Sequence, residues 1–125
     1  MSKTTELRKQ LKIILKTVAD RVYHEEAPPT ALYPYVVYES SELAYENGKT
    51  TFQLEVNVLD YGEDSSTVEI LSDLVQNTLN KYYFINDTIQ FTTYKGNKNI
   101  IKEEDKKIIR RKMNFEIQLH ELKGE

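Results

Sequence analysis

Few side chains in this sequence are of the types that acid–base or metal chemistry requires. The chain has two histidines and no cysteine, which excludes thiolate ligands, disulfides and cysteine nucleophiles. His24 stands beside Glu25 and Glu26, so a metal site with imidazole and carboxylate ligands is one interpretation. The other histidine, His120, is predicted on the polar face of the last strand, and no His-x-x-x-His spacing supports a shared site. The alternative is two surface histidines.

A second group of carboxylates, Asp60, Glu63 and Asp64, follows an alternating strand pattern. Converging oxygens there would suit a divalent cation. The alternative is a solvated turn in which Asp64 favours the positive end of a following helix. The glycines, Gly48, Gly62, Gly96 and Gly124, are isolated in turns or in the tail, so no phosphate-binding loop is present, and no Gly-x-Ser-x-Gly elbow occurs. We therefore predict no catalytic, cofactor-binding or metal-ligating residues, and we predict that the protein is not an enzyme.

One basic cluster lies at the start of the last predicted strand: Lys106, Lys107, Arg110, Arg111 and Lys112. Arg110 and Lys112 share one face of that strand. Three interpretations remain open: a charged edge strand that resists aggregation, a protein contact, or a strip that faces nucleic acid. The acidic residues 103–105 beside the cluster argue against the nucleic-acid interpretation, because they reduce the local positive charge. The net charge of −3 also argues against a dedicated nucleic-acid-binding protein.

The nine tyrosines are the other unusual feature of a chain without tryptophan. Tyrosine suits half-buried sites and protein interfaces, because its ring packs while its hydroxyl stays in water. These side chains either form interfaces or close the edges of the core. They are Tyr23, Tyr33, Tyr35, Tyr38, Tyr45, Tyr61, Tyr82, Tyr83 and Tyr94.

Hydrophobic periodicity predicts the elements that position these residues. Helical stripes cover residues 4–22, with Thr4 or Thr5 as the cap, and residues 66–82, where Ser66 and Glu69 form a capping box. Alternating or β-branched patterns predict strands at 35–41, 52–58, 88–94 and 107–120. Asn47-Gly48 marks a turn inside a long projecting loop, and the polar residues 95–106 are predicted to form a mobile loop. The expected fold is α+β in the order α-β-β-α-β-β, a four-stranded, mainly antiparallel sheet with both helices on one face.

Length and composition agree with one domain over residues 1–125. With 39% hydrophobic and 30% charged residues, the chain is typical of globular proteins. The first twenty residues lack the apolar stretch of a signal peptide. No apolar run is long enough for a transmembrane helix, so no membrane partner is expected.

Several segments together resemble a known family. They are Asp20-Arg21-Val22-Tyr23 after the first helix, Leu32-Tyr33-Pro34-Tyr35-Val36-Val37-Tyr38, the alternating strand from Phe52 to Asp60, Tyr61 with its acidic turn, and the helix that contains Ile70, Leu71 and Leu74. Over nearly its full length, the chain resembles the tail-completion or tail-terminator proteins of long-tailed bacteriophages and prophages, minor tail proteins related to the lambda tail terminator. Head–tail joining (neck) proteins of the same virions have a similar size and fold.

The resemblance implies an architectural role without a cofactor. Such proteins form a homo-hexameric ring on the tail tube, which ends tail polymerisation and offers a surface for head attachment. The implied partners are further copies of the chain, which can be monomeric in solution, the tail tube protein and the head–tail connector protein. Viral DNA passes through the lumen without specific binding. The implied location is the head-proximal end of the virion tail, after assembly in the host cytoplasm.

A ring requires that one patch meets a different patch on the next copy. The segment 45–49, the polar segment 95–106, the basic strip and the exposed tyrosines are the candidates. The predicted interface residues are Tyr45, Asn47, Lys49, Lys98, Asn99, Lys102, Arg110 and Lys112.

Overall fold

Two helices and six strands make up the part of the chain, residues 2–122, that the computed structural model describes. Gly124, predicted to lie in the tail, is outside these residues. The helices are α1 (Lys3–Leu15) and α2 (Ser66–Leu79). The strands are β1 (Val22–His24), β2 (Tyr35–Glu46), β3 (Lys49–Tyr61), β4 (Tyr83–Ile85), β5 (Ile89–Lys102) and β6 (Ile108–Glu121). Among these described residues, neither helix is long and apolar enough to cross a membrane.

The strands form one six-stranded sheet in the order β1-β2-β3-β6-β5-β4. β1 pairs with β2 in parallel, and every other neighbouring pair is antiparallel. The predicted four-stranded sheet is therefore wrong: it lacks the two short edge strands. Three-residue strands carry too few residues to show a period of two, so only their partners reveal them.

The first helix is shorter than predicted. It ends at Leu15, and the Thr17 hydroxyl donates to the Ile14 carbonyl in the turn that follows. Val22 continues the helical spacing of buried residues, but it lies in β1, opposite Val36 of β2. The periodicity of apolar residues shows which side chains are buried, but it does not show which backbone groups bond to each other. At its start, α1 is capped by Ser2 and not by a threonine, since the Ser2 hydroxyl accepts from the backbone N–H groups of residues 4 and 5.

The second helix begins where predicted but is capped differently. The Asp64 carboxylate accepts from the backbone N–H of Ser66 at 2.9 Å and from its hydroxyl at 2.7 Å. The predicted capping box does not form, because Glu69 extends to Arg111 on the sheet. The bond from the Ser66 hydroxyl, and then the bond from its backbone N–H, lower the pKa of Asp64.

Both predicted loops are mostly strand. β2 and β3 continue to a two-residue turn in which Asn47 and Gly48 have φ of 51° and 80°, as a primed hairpin turn requires. The predicted mobile loop 95–106 is strand as far as Lys102, with a bulge between Lys95 and Lys98. A Cβ on Gly96 would lie 2.6 Å from the Asn114 carbonyl oxygen, so this bulge requires glycine.

One core lies between the sheet and the two helices. The side chains of alternate residues in the central strands point towards the helices, and Leu54, Val56, Met113 and Ile117 are fully buried there. Tyr38 is also buried, and its hydroxyl donates to the Arg8 carbonyl at 3.0 Å, which joins α1 to the sheet. We call this side of the sheet the helix-covered face and the opposite side the open face.

Candidate protein interface

Two of the predicted interface residues, Arg110 and Lys112, lie on the open face, because they alternate with the buried residues of β6. The Arg110 guanidinium donates to the Asn57 side-chain oxygen at 2.9 Å and to Glu103 at 2.8 Å. Lys112 Nζ lies 3.6 Å from the Glu55 carboxylate. Glu55 on β3 and Glu103, just after the end of β5, therefore neutralise the two cations.

The third basic residue of this segment, Arg111, points to the other face. It is 8% exposed, and its Nε and Nη2 both donate to one Glu69 oxygen, at 3.2 and 2.8 Å. This ion pair links β6 to α2. The basic cluster is thus divided between two faces, and only Lys106 and Lys107 remain exposed beside it. The geometry favours intramolecular pairing over a continuous phosphate-binding strip.

A second group of predicted residues, Tyr45, Asn47 and Lys49, lies at the β2–β3 hairpin. Tyr45 is 60% exposed, and Lys3 Nζ lies 5.3 Å from the centre of its ring, in cation–π range. Leu43, beside it on β2, is equally exposed at 60%. An exposed aromatic and an exposed aliphatic side chain near one hairpin tip are features of a protein-binding surface.

The third group, Lys98, Asn99 and Lys102, lies on β5. Lys98 Nζ is 2.8 Å from Asp73 and 3.0 Å from the Ser72 hydroxyl of α2, so this lysine holds the strand against the helix. Asn99 stands opposite Lys112 on the open face. Lys102 is exposed at the end of the strand. The structure thus places this group near the opposite end of the sheet from Asn47, and the eight predicted residues do not form one patch.

Four of the tyrosines form a cluster at the β1 side of the open face. The ring of Tyr35 lies 5.8 Å from Tyr23 and 5.2 Å from Tyr33, which in turn lies 5.6 Å from Tyr61. Burial, and then the neighbouring Tyr33, raises the pKa of Tyr35. Sequence analysis did not group these rings, because Tyr61 reaches the cluster from the end of another strand. Tyr38 lies in the core and Tyr45 is exposed at the surface, and an interface role for the exposed tyrosines stays a prediction.

The residues considered for metal chemistry do not converge. The rings of His24 and Tyr38 lie 5.2 Å apart and are tilted by 56°. Burial lowers the pKa of His24, against the opposing field of Glu25. His120 stands opposite Lys49. Along the sheet, His24 is level with Met113 of β6, so the two histidines lie at different ends. Within residues 2–122, no three His, Asp or Glu side chains are grouped as a metal ion would need.

Sequence analysis missed an apolar groove beside α2. Ile70 and Leu74 are 64% and 45% exposed, and the groove next to them continues to Val18, Leu71 and Pro34. Helical spacing allows either Leu74 or Val75 on the buried stripe of α2, and the structure buries Val75. The four-residue spacing of Ile70 and Leu74 was the available signal, because it marks a second apolar row beside the buried one.

Comparisons with known proteins identify the fold. No model of a protein family matches the chain, and no curated protein matches it. Among solved structures, it is similar to a chain of a particle described as the virion of a native gene transfer agent. The TM-score is 0.68 and the identity 13%, over 90% of this chain and 90% of that chain. The mixed sheet and two helices are therefore a fold that occurs in a virion particle.

Proposed function

We propose that this protein is a structural component of a phage-like virion. The observation that carries the proposal is the similarity to a chain of the gene transfer agent virion, which extends over 90% of both chains. An independent line is the resemblance of the sequence to tail-completion proteins, carried by segments such as residues 32–38 and 52–60. An architectural role uses surfaces and not reaction chemistry.

Within the virion, the proposed role is that of a ring of about six copies that caps the tail tube. The ring ends tube polymerisation and presents a surface to which the head connector attaches. Cyclic rings need two different surfaces on each copy, because every interface joins one patch to another. The two hairpin regions at opposite ends of the sheet provide exposed candidates, with Tyr45 near one and Lys102 at the other. Viral DNA would pass through the lumen without specific contacts.

The test is deletion of the gene in the particle-producing strain that encodes it, followed by electron microscopy of the particles. A missing tail cap leaves tube polymerisation without a stop, so we expect tails of abnormal and variable length. Normal-length tails without heads would instead assign the chain to head–tail joining. Particles of unchanged number and shape would rule out a virion role. Negative-stain imaging of the purified protein then shows whether it forms rings.

A further inference from the structure

The two long strands near the borders of the sheet extend well beyond their short neighbours. β1 pairs with β2 only over Val36–Tyr38, and β4 pairs with β5 only over Gln90–Thr92. One backbone side of β2 is therefore uncovered from Ser40 onward, and one side of β5 is uncovered beyond its bulge. We call residues 39–46 the acidic edge and residues 95–102 the basic edge.

The exposed side of the acidic edge carries backbone groups ready for pairing. The Val36 N–H donates to the Arg21 carbonyl and not to β3, and the Tyr38 carbonyl accepts from the Glu25 N–H. The backbone N–H and C=O groups of successive residues in a strand point to opposite sides. Those of Ser40 and Glu42 therefore point to the same side as those of Val36 and Tyr38, away from β3. These groups lie beyond the end of β1.

The same reasoning applies to the basic edge. The Thr93 N–H donates to the Tyr82 carbonyl and the Lys95 N–H to the Asn80 side chain, so both point away from β6. Lys95 and Lys98 stand opposite Phe115 and Met113, which are two residues apart on β6. The backbone groups of Lys98 therefore point away from β6, like those of Lys95. Because the direction alternates from residue to residue, those of Ile100 and Lys102 do so as well.

The two edges have opposite charge. Residues 39–46 contain Glu39, Glu42 and Glu46 and no basic side chain, whereas residues 95–102 contain Lys95, Lys98 and Lys102 and no acidic one. Glu42, Glu46, Lys95 and Lys102 are exposed, and none of them forms an ion pair within residues 2–122. Pairing an edge with its own copy would oppose like charges. Pairing the acidic edge with the basic edge brings opposite charges together.

Apolar side chains accompany the charges. Tyr45 is 60% exposed on the acidic edge, and Ile100 is 64% exposed on the basic edge. Tyr45 stands opposite the buried Thr50, and Ile100 stands opposite the buried Arg111, so both point to the helix-covered side. In a sheet that continues from one copy to the next, they would lie on the same side.

Strand direction also suits this pairing. β2 is antiparallel to β3, β3 to β6 and β6 to β5, so β2 and β5 run in opposite directions. A second copy placed alongside without turning over therefore sets its β5 antiparallel to β2 of the first. Such an interface joins two different surfaces, and its repetition produces a ring if the rotation between copies closes.

We infer that the acidic edge of one copy pairs with the basic edge of the next copy by antiparallel strand addition. This inference rests on the proposed ring and identifies its subunit interface. Lysines and bulges at edge strands can also serve to prevent association. In that case neither edge would contact another copy, and the experiments below distinguish the two roles.

Proline substitutions test the backbone pairing. The N–H groups of Ser40 and Ile100 point away from the sheet interior, so Ser40→Pro and Ile100→Pro remove an outward donor and leave the internal ladders intact. We expect each variant alone to lose self-association in sedimentation velocity, while Ser40→Thr and Ile100→Val retain it. Circular dichroism and thermal melting report whether each variant is folded.

Mixing the two proline variants tests the head-to-tail arrangement. Ser40→Pro retains a complete basic edge and Ile100→Pro a complete acidic edge, so the mixture can form one interface and should yield a 1:1 pair. Self-association of a folded Ile100→Pro variant alone would overturn the inference, because it would show that the basic edge is not needed.

Cross-linking covers the case of weak association. The chain has no cysteine, and Ser41 and Asn99 are exposed on the open-face side of the two edges. A Ser41→Cys/Asn99→Cys variant treated with a short bismaleimide should give a ladder of oligomers, and each single variant should not exceed a dimer. Absence of the ladder at about 1 mM protein, where an interface with a Kd of about 1 mM is substantially occupied, overturns the inference. The gene deletion decides the virion role separately, so the two failures are distinguishable.

Discussion

The two faces of the central strands are built from alternate residues of the same segments, yet they have opposite characters. On β3, Leu54 and Val56 are fully buried under the helices, while Gln53 is exposed on the open face. On β6, Phe115 is buried and Glu116 is exposed. The helix-covered face excludes water through packing, and the open face carries polar pairs.

This difference separates stability from recognition. Burial of apolar surface contributes about 25 cal/mol per Å², whereas an exposed ion pair contributes roughly 0–1 kcal/mol. Side chains on the open face can therefore change to suit a partner with little effect on folding. The helix-covered face has no comparable freedom, because tightly packed side chains lose contacts with every change in volume.

The largest effect is expected from a truncation on the helix-covered face. Phe115 is 2% exposed in the core, so Phe115→Ala should lower the free energy of unfolding by about 3–5 kcal/mol. The matched open-face variant Gln118→Ala should change it by less than about 0.5 kcal/mol. Urea denaturation of both variants measures the contrast. Equal losses would show that the open face is also a packed surface.

A smaller effect is expected at Arg111, a buried cation on the helix-covered face. Glu69→Gln removes the carboxylate that accepts from the 8%-exposed Arg111, and we expect a loss of about 1–3 kcal/mol because an uncompensated charge stays partly buried. Asp73→Asn, at the exposed carboxylate beside Lys98, should cost less than about 1 kcal/mol. The same urea titration compares the two variants. An unchanged free energy of unfolding in Glu69→Gln would contradict the stabilising role of the Glu69–Arg111 pair.

The corresponding ion pair on the open face should matter less. Lys112→Ala removes the 3.6 Å contact with Glu55, and we expect a loss below about 1 kcal/mol. Salt screens partly exposed charges, so the difference from the unsubstituted protein should shrink when unfolding is measured in high salt. A loss that is large and independent of salt would show that the lysine stem packs as a structural element.

The smallest effect concerns His24, at the margin of the helix-covered face. Burial lowers its pKa below the usual 6.5, with the Glu25 and Glu39 carboxylates opposing and the Arg8 and Lys12 cations adding to the shift. Between the folded and unfolded pKa values the unfolded chain binds more protons, so this contribution is present above about pH 6.5 and is lost as pH falls through the folded pKa. His24→Gln should therefore flatten the decline in melting temperature below about pH 6.5. An unchanged slope would mean that other groups cause the decline.

Sequence periodicity located the long elements because burial repeats along them. The start of α2 at Ser66 and the alternating pattern of β3 required only local information. The same patterns missed β1 and the second half of β5. Val22 satisfies the spacing of either a helix or a strand. In β5 the bulge between Lys95 and Lys98 interrupts the alternation, and Lys98 bonds to α2 in place of an apolar core side chain.

The pairing partners of the candidate interface residues could not be read from the sequence. Residue types marked Arg110 and Lys112 as a basic patch, but their partners Glu103 and Glu55 come from other segments. Charge in a sequence shows which side chains can pair. Only the strand order shows which of them do.

By itself, the sequence determined the two helices, the four long strands, the Asn47-Gly48 turn and the absence of cysteine chemistry, because each depends on residue type or on spacing within one segment. Only the tertiary structure decided the six-stranded order, the split of the basic cluster between two faces and the position of the acidic and basic edges at opposite ends of the sheet. These features depend on which distant segments share backbone hydrogen bonds, and a local pattern of hydrophobicity does not encode that choice.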